Sequence, residues 1–96
     1  MKIIVESNLH ISNLFEPPLI LRFQSETPTI KDLLMDLAEQ CKSIQLLDEE
    51  GRLGRDIDEI SINDEDFFTF KKGINTCLNE GDRVFLQIQI VQLGGG

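Results

Sequence analysis

A single strongly marked amphipathic helix, set among short alternating apolar runs, constrains the fold of this chain more than any other feature. Thr29 opens it. Its hydroxyl can cap the helix, and Asp32 three residues on has the capping-box spacing, with Asp in place of Glu. Ile30, Leu33, Leu34, Leu37 and Cys41 then recur at helical spacing as one apolar stripe. Asp32, Asp36, Glu39 and Gln40 keep the other faces wet, and the pattern runs out near Lys42. Such a stripe is stable only when a second layer covers it. The other apolar runs are short, and several alternate with a period of two, so the covering layer is a sheet.

Two of these runs precede the helix. Residues 2–6 place Ile3 and Val5 on one face and Ile4 on the other; residues 19–23 place Leu19, Leu21 and Phe23 on one face. The long connection 8–18, closed by Pro17-Pro18, makes the two a hairpin. After the helix, residues 43–55 hold Leu46, Leu47 and Leu53 around the turn-like Asp48-Glu49-Glu50-Gly51. Ile57, Ile60 and Ile62 predict a strand of unsettled register, Asn63-Asp64-Glu65-Asp66 a polar turn, and residues 67–70 a short strand. Lys71-Lys72-Gly73 turns again, and Leu78-Asn79-Glu80-Gly81-Asp82 is a tight turn in which Gly81 is available for positive φ. Residues 83–93 read as the last strand: Val84, Leu86, Ile88 and Ile90 alternate with Phe85, Gln87, Gln89 and Val91. The order β-β-α-β-β-β predicts an α+β roll in which the sheet wraps the helix. The chain is long enough for one such domain, residues 1–93, followed by a flexible glycine tail, residues 94–96.

Charge and composition argue against several functions. The net charge is −8, with a dense stretch at Asp56, Asp58, Glu59, Asp64, Glu65 and Asp66. Such a surface repels nucleic acid and anionic membrane and suits a partner with a basic docking surface. The apolar run at the start is too short for a signal segment or a membrane span. Cys41 and Cys77 form no C-x-x-C and no metal-ligand spacing, which fits a cytoplasmic protein with reduced thiols. A Cys–His nucleophile would need His10, the only histidine, beside one of them. Cys41 lies on the helix stripe as a buried thiol, and Cys77 precedes a turn. Asp64, Glu65 and Asp66 lack the D-x-[DN]-x-[DN]-G calcium pattern, and no glycine-rich loop opens the helix to take a phosphate. Neither a metal nor a bound cofactor is expected on this chain.

Gly94-Gly95-Gly96 follow directly on the last strand. Glycines there build no core. Either they are a frayed end, or they make a thin thread that leads the carboxylate of Gly96 away from the fold. A carboxylate is a poor electrophile, because its leaving group would be oxide. As an acyl-adenylate it has a good leaving group, and a sulfur or nitrogen nucleophile can attack. Glycine lacks Cβ, so it can enter a narrow channel and take any φ there. The adenylating site would belong to another protein, and this chain would be its substrate rather than an enzyme.

Five ordered motifs carry a family resemblance. Pro28-Thr29-Ile30-Lys31-Asp32-Leu33-Leu34 resembles a T-[VI]-x-D-L-L helix start. Leu46-Leu47-Asp48-Glu49-Glu50-Gly51-Arg52-Leu53 resembles the segment after that helix, and Ile62-Asn63-Asp64-Glu65-Asp66 resembles V-N-G-E-D, with Asp64 where glycine is usual. Leu78-Asn79-Glu80-Gly81-Asp82-Arg83-Val84 resembles L-x-[DE]-G-D-x-V, and Gly95-Gly96 stands where a reactive diglycine stands. The set resembles the MoaD/ThiS group of ubiquitin-like sulfur carriers, and the Leu46-to-Leu53 segment is most similar to its MoaD-like branch. That branch carries prolines before its end, where this chain has Ile90-Val91-Gln92-Leu93.

The resemblance implies a β-grasp (ubiquitin-like) roll, a mixed sheet of four to five strands packed on one main helix. It implies that Gly96 carries the acyl-adenylate or thiocarboxylate and that Gly94 and Gly95 serve tail recognition. The implied partners are a MoeB/ThiF-type adenylating enzyme, which would use ATP and Mg²⁺, and a sulfur-accepting synthase. The large subunit of molybdopterin synthase comes first and thiamin thiazole synthesis second. Archaeal small modifiers and the ubiquitin-related modifier share fold and activation but also join the glycine to lysines of target proteins, and a β-grasp interaction module with an inert tail is a third reading. For docking, the outward sheet face offers Phe85, with Phe68, Phe70 and Leu93 as further candidates. Some of these rings can equally be core.

Overall fold

The capping box forms as its spacing predicts. Thr29 Oγ1 accepts the Asp32 amide at 3.2 Å, and Asp32 Oδ2 accepts the Thr29 amide at 2.9 Å. Two of the helix's four orphan donors at this end are thereby satisfied or screened, and helix α1 runs over Ile30–Gln40. Ile30, Leu33, Leu34 and Leu37 are buried on one face. Burying each is worth about 1.5–3 kcal/mol, so the stripe and not propensity holds the helix. Cys41 follows as the C-cap, its amide bonded to the Leu37 carbonyl and its thiol buried. The helix thus stops slightly short of Lys42.

In the computed structural model, which describes residues 1–89, the strands are β1 (Lys2–Ser7), β2 (Leu19–Arg22), β3 (Ile57–Ile62), β4 (Glu65–Asp66) and β5 (Arg83–Ile88). They form one sheet in the order β2-β1-β5-β3-β4. The β1–β2 pair is an antiparallel hairpin with Ile3 opposite Leu21 and Val5 opposite Leu19. The β1–β5 pair is parallel, with Val5 opposite Val84 and Ser7 opposite Leu86. The sheet is therefore mixed, and its first and last strands lie side by side at the centre.

The isoleucines of β3 break the period of two, because Ile57 is one residue out of phase with Ile60 and Ile62. A β-bulge resolves this. Ile57 pairs with Ile88 and Glu59 with Gln87, so β3 takes two steps where β5 takes one. Ile60 and Ile62 then face the core. The β3–β4 turn places Asn63 at φ 50° and Asp64 at φ 71°, the two positive values of a type I′ hairpin turn.

Residues 67–70 do not form the expected strand. β4 ends at Asp66, whose carboxylate accepts the Phe68 amide at 3.0 Å and whose carbonyl accepts the Thr69 hydroxyl at 2.6 Å. These local bonds close a 3₁₀ turn over Phe67–Thr69 instead. The last strand is described to Ile88, and the rest of the expected run, residues 90–93, lies outside the described residues. Ile3, Val5, Leu21, Ile60, Val84 and Leu86 line the inner face of the sheet against the α1 stripe. No helix among the described residues is long and apolar enough to cross a membrane.

Candidate functional site

β5 leads to the glycine run and has neighbours on both sides. Val84, Leu86 and Ile88 point into the core, which turns Arg83, Phe85 and Gln87 outward by the pleat. Phe85 is half-buried. Its register partners are Glu6 on β1 and Ser61 on β3. Beside it Arg83 donates to Glu6, 2.9 Å from Nη2 to Oε1 and 3.2 Å from Nε. Asn63 braces the same corner: its Oδ1 accepts the Arg83 amide at 3.0 Å, and its Nδ2 donates to Asp82 at 2.9 Å. Glu6, Ser61, Asn63, Asp64, Arg83 and Phe85 line a depression of about 80 Å³. An exposed pair such as Arg83–Glu6 adds little stability, so its effect is on the shape and charge of this face.

The other candidate rings do not join Phe85 on this face. Phe68 is 76% exposed but stands on the 3₁₀ turn after β4, its ring edge-on to Phe67 at 5.7 Å between centroids. Phe70 is half-buried and packs against the core. Leu93, Gly94, Gly95 and Gly96 lie outside the described residues.

The root of the C-terminal segment is held from both sides. Towards β1, Asn8 Oδ1 accepts the Ile88 amide at 2.8 Å, and Asn8 Nδ2 donates to the Ile88 carbonyl at 2.9 Å. Ser7 Oγ donates to the Leu86 carbonyl at 2.7 Å. Towards β3, the Gln89 amide donates to the Asp56 carbonyl at 2.8 Å. The Asp56 side chain is buried, not part of a solvated acidic stretch, and its Oδ2 accepts the Gln45 amide at 2.7 Å. Among the described residues its Oδ1 finds no hydrogen-bond partner. Neither Asn8 nor Asp56 stands out in the sequence. Ser7-Asn8 directly after a strand was the available signal for the first; the second was hidden in a run of carboxylates.

The remaining chemistry-bearing side chains stand apart. Cys41 is buried with Sγ 3.5 Å from Ser43 Oγ, and Cys77 is exposed. His10 faces Glu16, 3.8 Å from Nε2 to Oε2. Among the described residues no three His, Cys, Asp or Glu side chains are placed to hold a metal ion. The motif segment after the helix folds as a ladder, Leu47 opposite Leu53 around a turn in which Gly51 has φ 80°. Asp48 organises that turn by accepting the Glu50 and Arg52 amides at 2.9 and 2.8 Å. The Arg52 amide chiefly holds the Asp48 carboxyl below its ordinary pKa; desolvation opposes this, and the Glu50 amide and the Arg52 guanidinium add to the lowering. Asp48, Arg52, Leu53, Phe67 and Ile74 border a shallow groove of about 490 Å³, on apolar ground with a charged rim.

The mixed sheet, with parallel first and last strands packed on one helix, is a β-grasp fold. No model of a protein family matches this chain, and no curated protein matches it. Among solved structures, the crystal structure of Mycobacterium tuberculosis CysO, described as an antigen, is similar in fold. The TM-score is 0.57 over 92% of this chain and 99% of that one, at 23% sequence identity.

Proposed function

We propose that the chain is a ubiquitin-like sulfur carrier that works through the carboxylate of Gly96. The supporting observation is a conjunction: a β-grasp sheet whose central strand β5 leads to Gly94-Gly95-Gly96, in a chain that also carries the ordered motifs of the MoaD/ThiS carriers. In this reading a MoeB/ThiF-type enzyme binds the outer sheet face around Phe85. There a carboxylate oxygen of Gly96 attacks the α-phosphorus of ATP held with Mg²⁺, and pyrophosphate leaves. Hydrosulfide from a sulfur donor then attacks the acyl carbon and gives up its proton, and AMP leaves with the electron pair of the broken C–O bond. The product is a thiocarboxylate. The chain supplies no side chain to either step; it supplies an acyl group and a docking surface, and it acts in the cytoplasm.

The acceptor we favour is a molybdopterin synthase large subunit, on the strength of the Leu46-to-Leu53 segment. A thiamin thiazole synthase comes second. The replacement of the branch's prolines by Ile90-Val91-Gln92-Leu93 favours, as the rival class, a modifier that joins Gly96 to lysines. The intact mass of the protein purified from its own cell separates these. The carrier reading expects a species ending at Gly96 with one oxygen replaced by sulfur. Abundant lysine conjugates that vanish on deletion of Gly96, with no thiocarboxylate, would replace it with the modifier reading.

A further inference from the structure

The regular β1–β5 ladder ends before β5 does, and side chains continue it. The Ile4 amide donates to the Asp82 carbonyl, and Ile4 is the register partner of Arg83. In a parallel ladder, alternate residues of one strand bond the residues flanking their partners. The next steps on β1 are therefore Glu6 and then residue 8. A regular continuation would have the Asn8 backbone amide donate to Leu86 and its backbone carbonyl accept from Ile88. Instead the Ser7 hydroxyl donates to the Leu86 carbonyl and the Asn8 side-chain oxygen accepts the Ile88 amide. The Asn8 side-chain NH₂ then donates to the Ile88 carbonyl, a bond that residue 10 would otherwise supply. A carboxamide carries the donor and acceptor of a peptide group on separate atoms, whereas a carboxylate has no donor and a hydroxyl carries both on one oxygen. Meanwhile the backbone of β1 is free to turn away into the 8–18 connection.

We propose that Asn8 is a positioning residue for the chemistry at Gly96: its side chain, with the Asp56 carbonyl opposite, fixes the position and direction of the backbone at Ile88 and Gln89, from which the sequence runs on to Gly96. This rests on the carrier reading above. Seven residues follow Gln89 in the sequence. Drawn out into an enzyme's channel they span at most ~23–25 Å, and a channel that holds them straight must also meet the backbone direction set at their root. Asn8 lowers the number of root directions the enzyme must select among. Its loss should therefore be felt in capture of the carrier and not in the adenylation step itself.

The test compares wild type, Asn8→Ala, Asn8→Asp and Thr29→Ala. Each is assayed for amide exchange at Ile88 and Gln89 and for ATP–pyrophosphate exchange with the cognate adenylating enzyme. Asn8→Ala should speed exchange at Ile88 by at least ~10-fold while core amides of β1 stay protected. It should raise the KM for the carrier about fivefold with kcat unchanged. Asn8→Asp keeps the acceptor but loses the donor and sets a carboxylate oxygen against the Ile88 carbonyl, so it too should raise KM; it also serves if Asn8→Ala does not fold. Thr29→Ala weakens the helix cap far from the root and should leave KM alone. A loosened Ile88 with wild-type KM, an Ile88 amide that does not loosen, or an equal KM rise in Thr29→Ala would each overturn the positioning role while leaving the carrier reading intact. A wild-type protein that the enzyme never activates would remove both.

Discussion

Phe67 and Phe68 are neighbours in sequence and opposites in environment. Phe67 is 8% exposed and belongs to the core cluster, whereas Phe68 is 76% exposed. A strand would also send adjacent side chains to opposite faces, so alternation alone does not distinguish the 3₁₀ turn from the expected strand. The capping of the turn by Asp66 does. Phe67→Ala should cost about 3–5 kcal/mol, because a ring removed from a packed core leaves a cavity. Phe68→Ala should stay within about 0.5 kcal/mol, since that ring meets mainly solvent and the edge of Phe67. Urea denaturation of the two variants checks this. Equal losses would mean that the edge-to-face pair, and not burial, sets the stability here.

At the scale of elements, what was legible in the sequence was whatever local chemistry specifies. Thr29 and Asp32 carry the helix start within four residues, and the alternation of Val84, Leu86 and Ile88 marks the inner face of β5 and therefore the outward side of Phe85. The β3 register was not legible, because a bulge is set by the partner strand as much as by its own residues. Asn8 and Asp56 were hidden for the same reason: their partners, Ile88 and Gln45, are distant in sequence. The glycine end of the candidate site rests on sequence alone. The β3–β4 turn is an element where sequence and geometry disagree mildly. Asp64 has φ 71° at a position where the resembling motif has glycine. Left-handed backbone costs about 1–2 kcal/mol for residues with a Cβ, less for Asp, and glycine gives back about 0.5–1 kcal/mol in chain entropy. Asp64→Gly should therefore gain a net of about 0.5 kcal/mol in chemical denaturation. A loss instead would show that the Asp64 carboxylate contributes to the corner around Asn63 and Arg83.

For the whole molecule, the proposed carrier reading separates two duties that a side-chain active site would merge, docking and chemistry. The outer face around Phe85 is held on β1, β5 and β3 by register, and the acyl group lies further along the sequence from β5. Docking and chemistry should then be separable by mutation. Deleting Gly95 and Gly96 removes no side chain from the core, so the melting temperature should not move. The carboxylate would now sit on Gly94, two residues short of its proposed place, and ATP–pyrophosphate exchange should vanish. Binding to the adenylating enzyme should persist, weakened only by the lost contacts of two glycines. Phe85→Ala should do the reverse. Phe85 is half-buried and points away from the α1 stripe, so its truncation should cost about 1 kcal/mol or less in stability. It should raise the dissociation constant at least tenfold, because aromatic groups at the centre of an interface carry a large share of its energy. A titration of each variant against the enzyme, beside its exchange rate, gives both numbers. If the deletion abolished binding as well, the glycines would be the main anchor and the sheet face incidental. If Phe85→Ala unfolded the protein, its ring would belong to the core, and the docking face would have to be sought elsewhere.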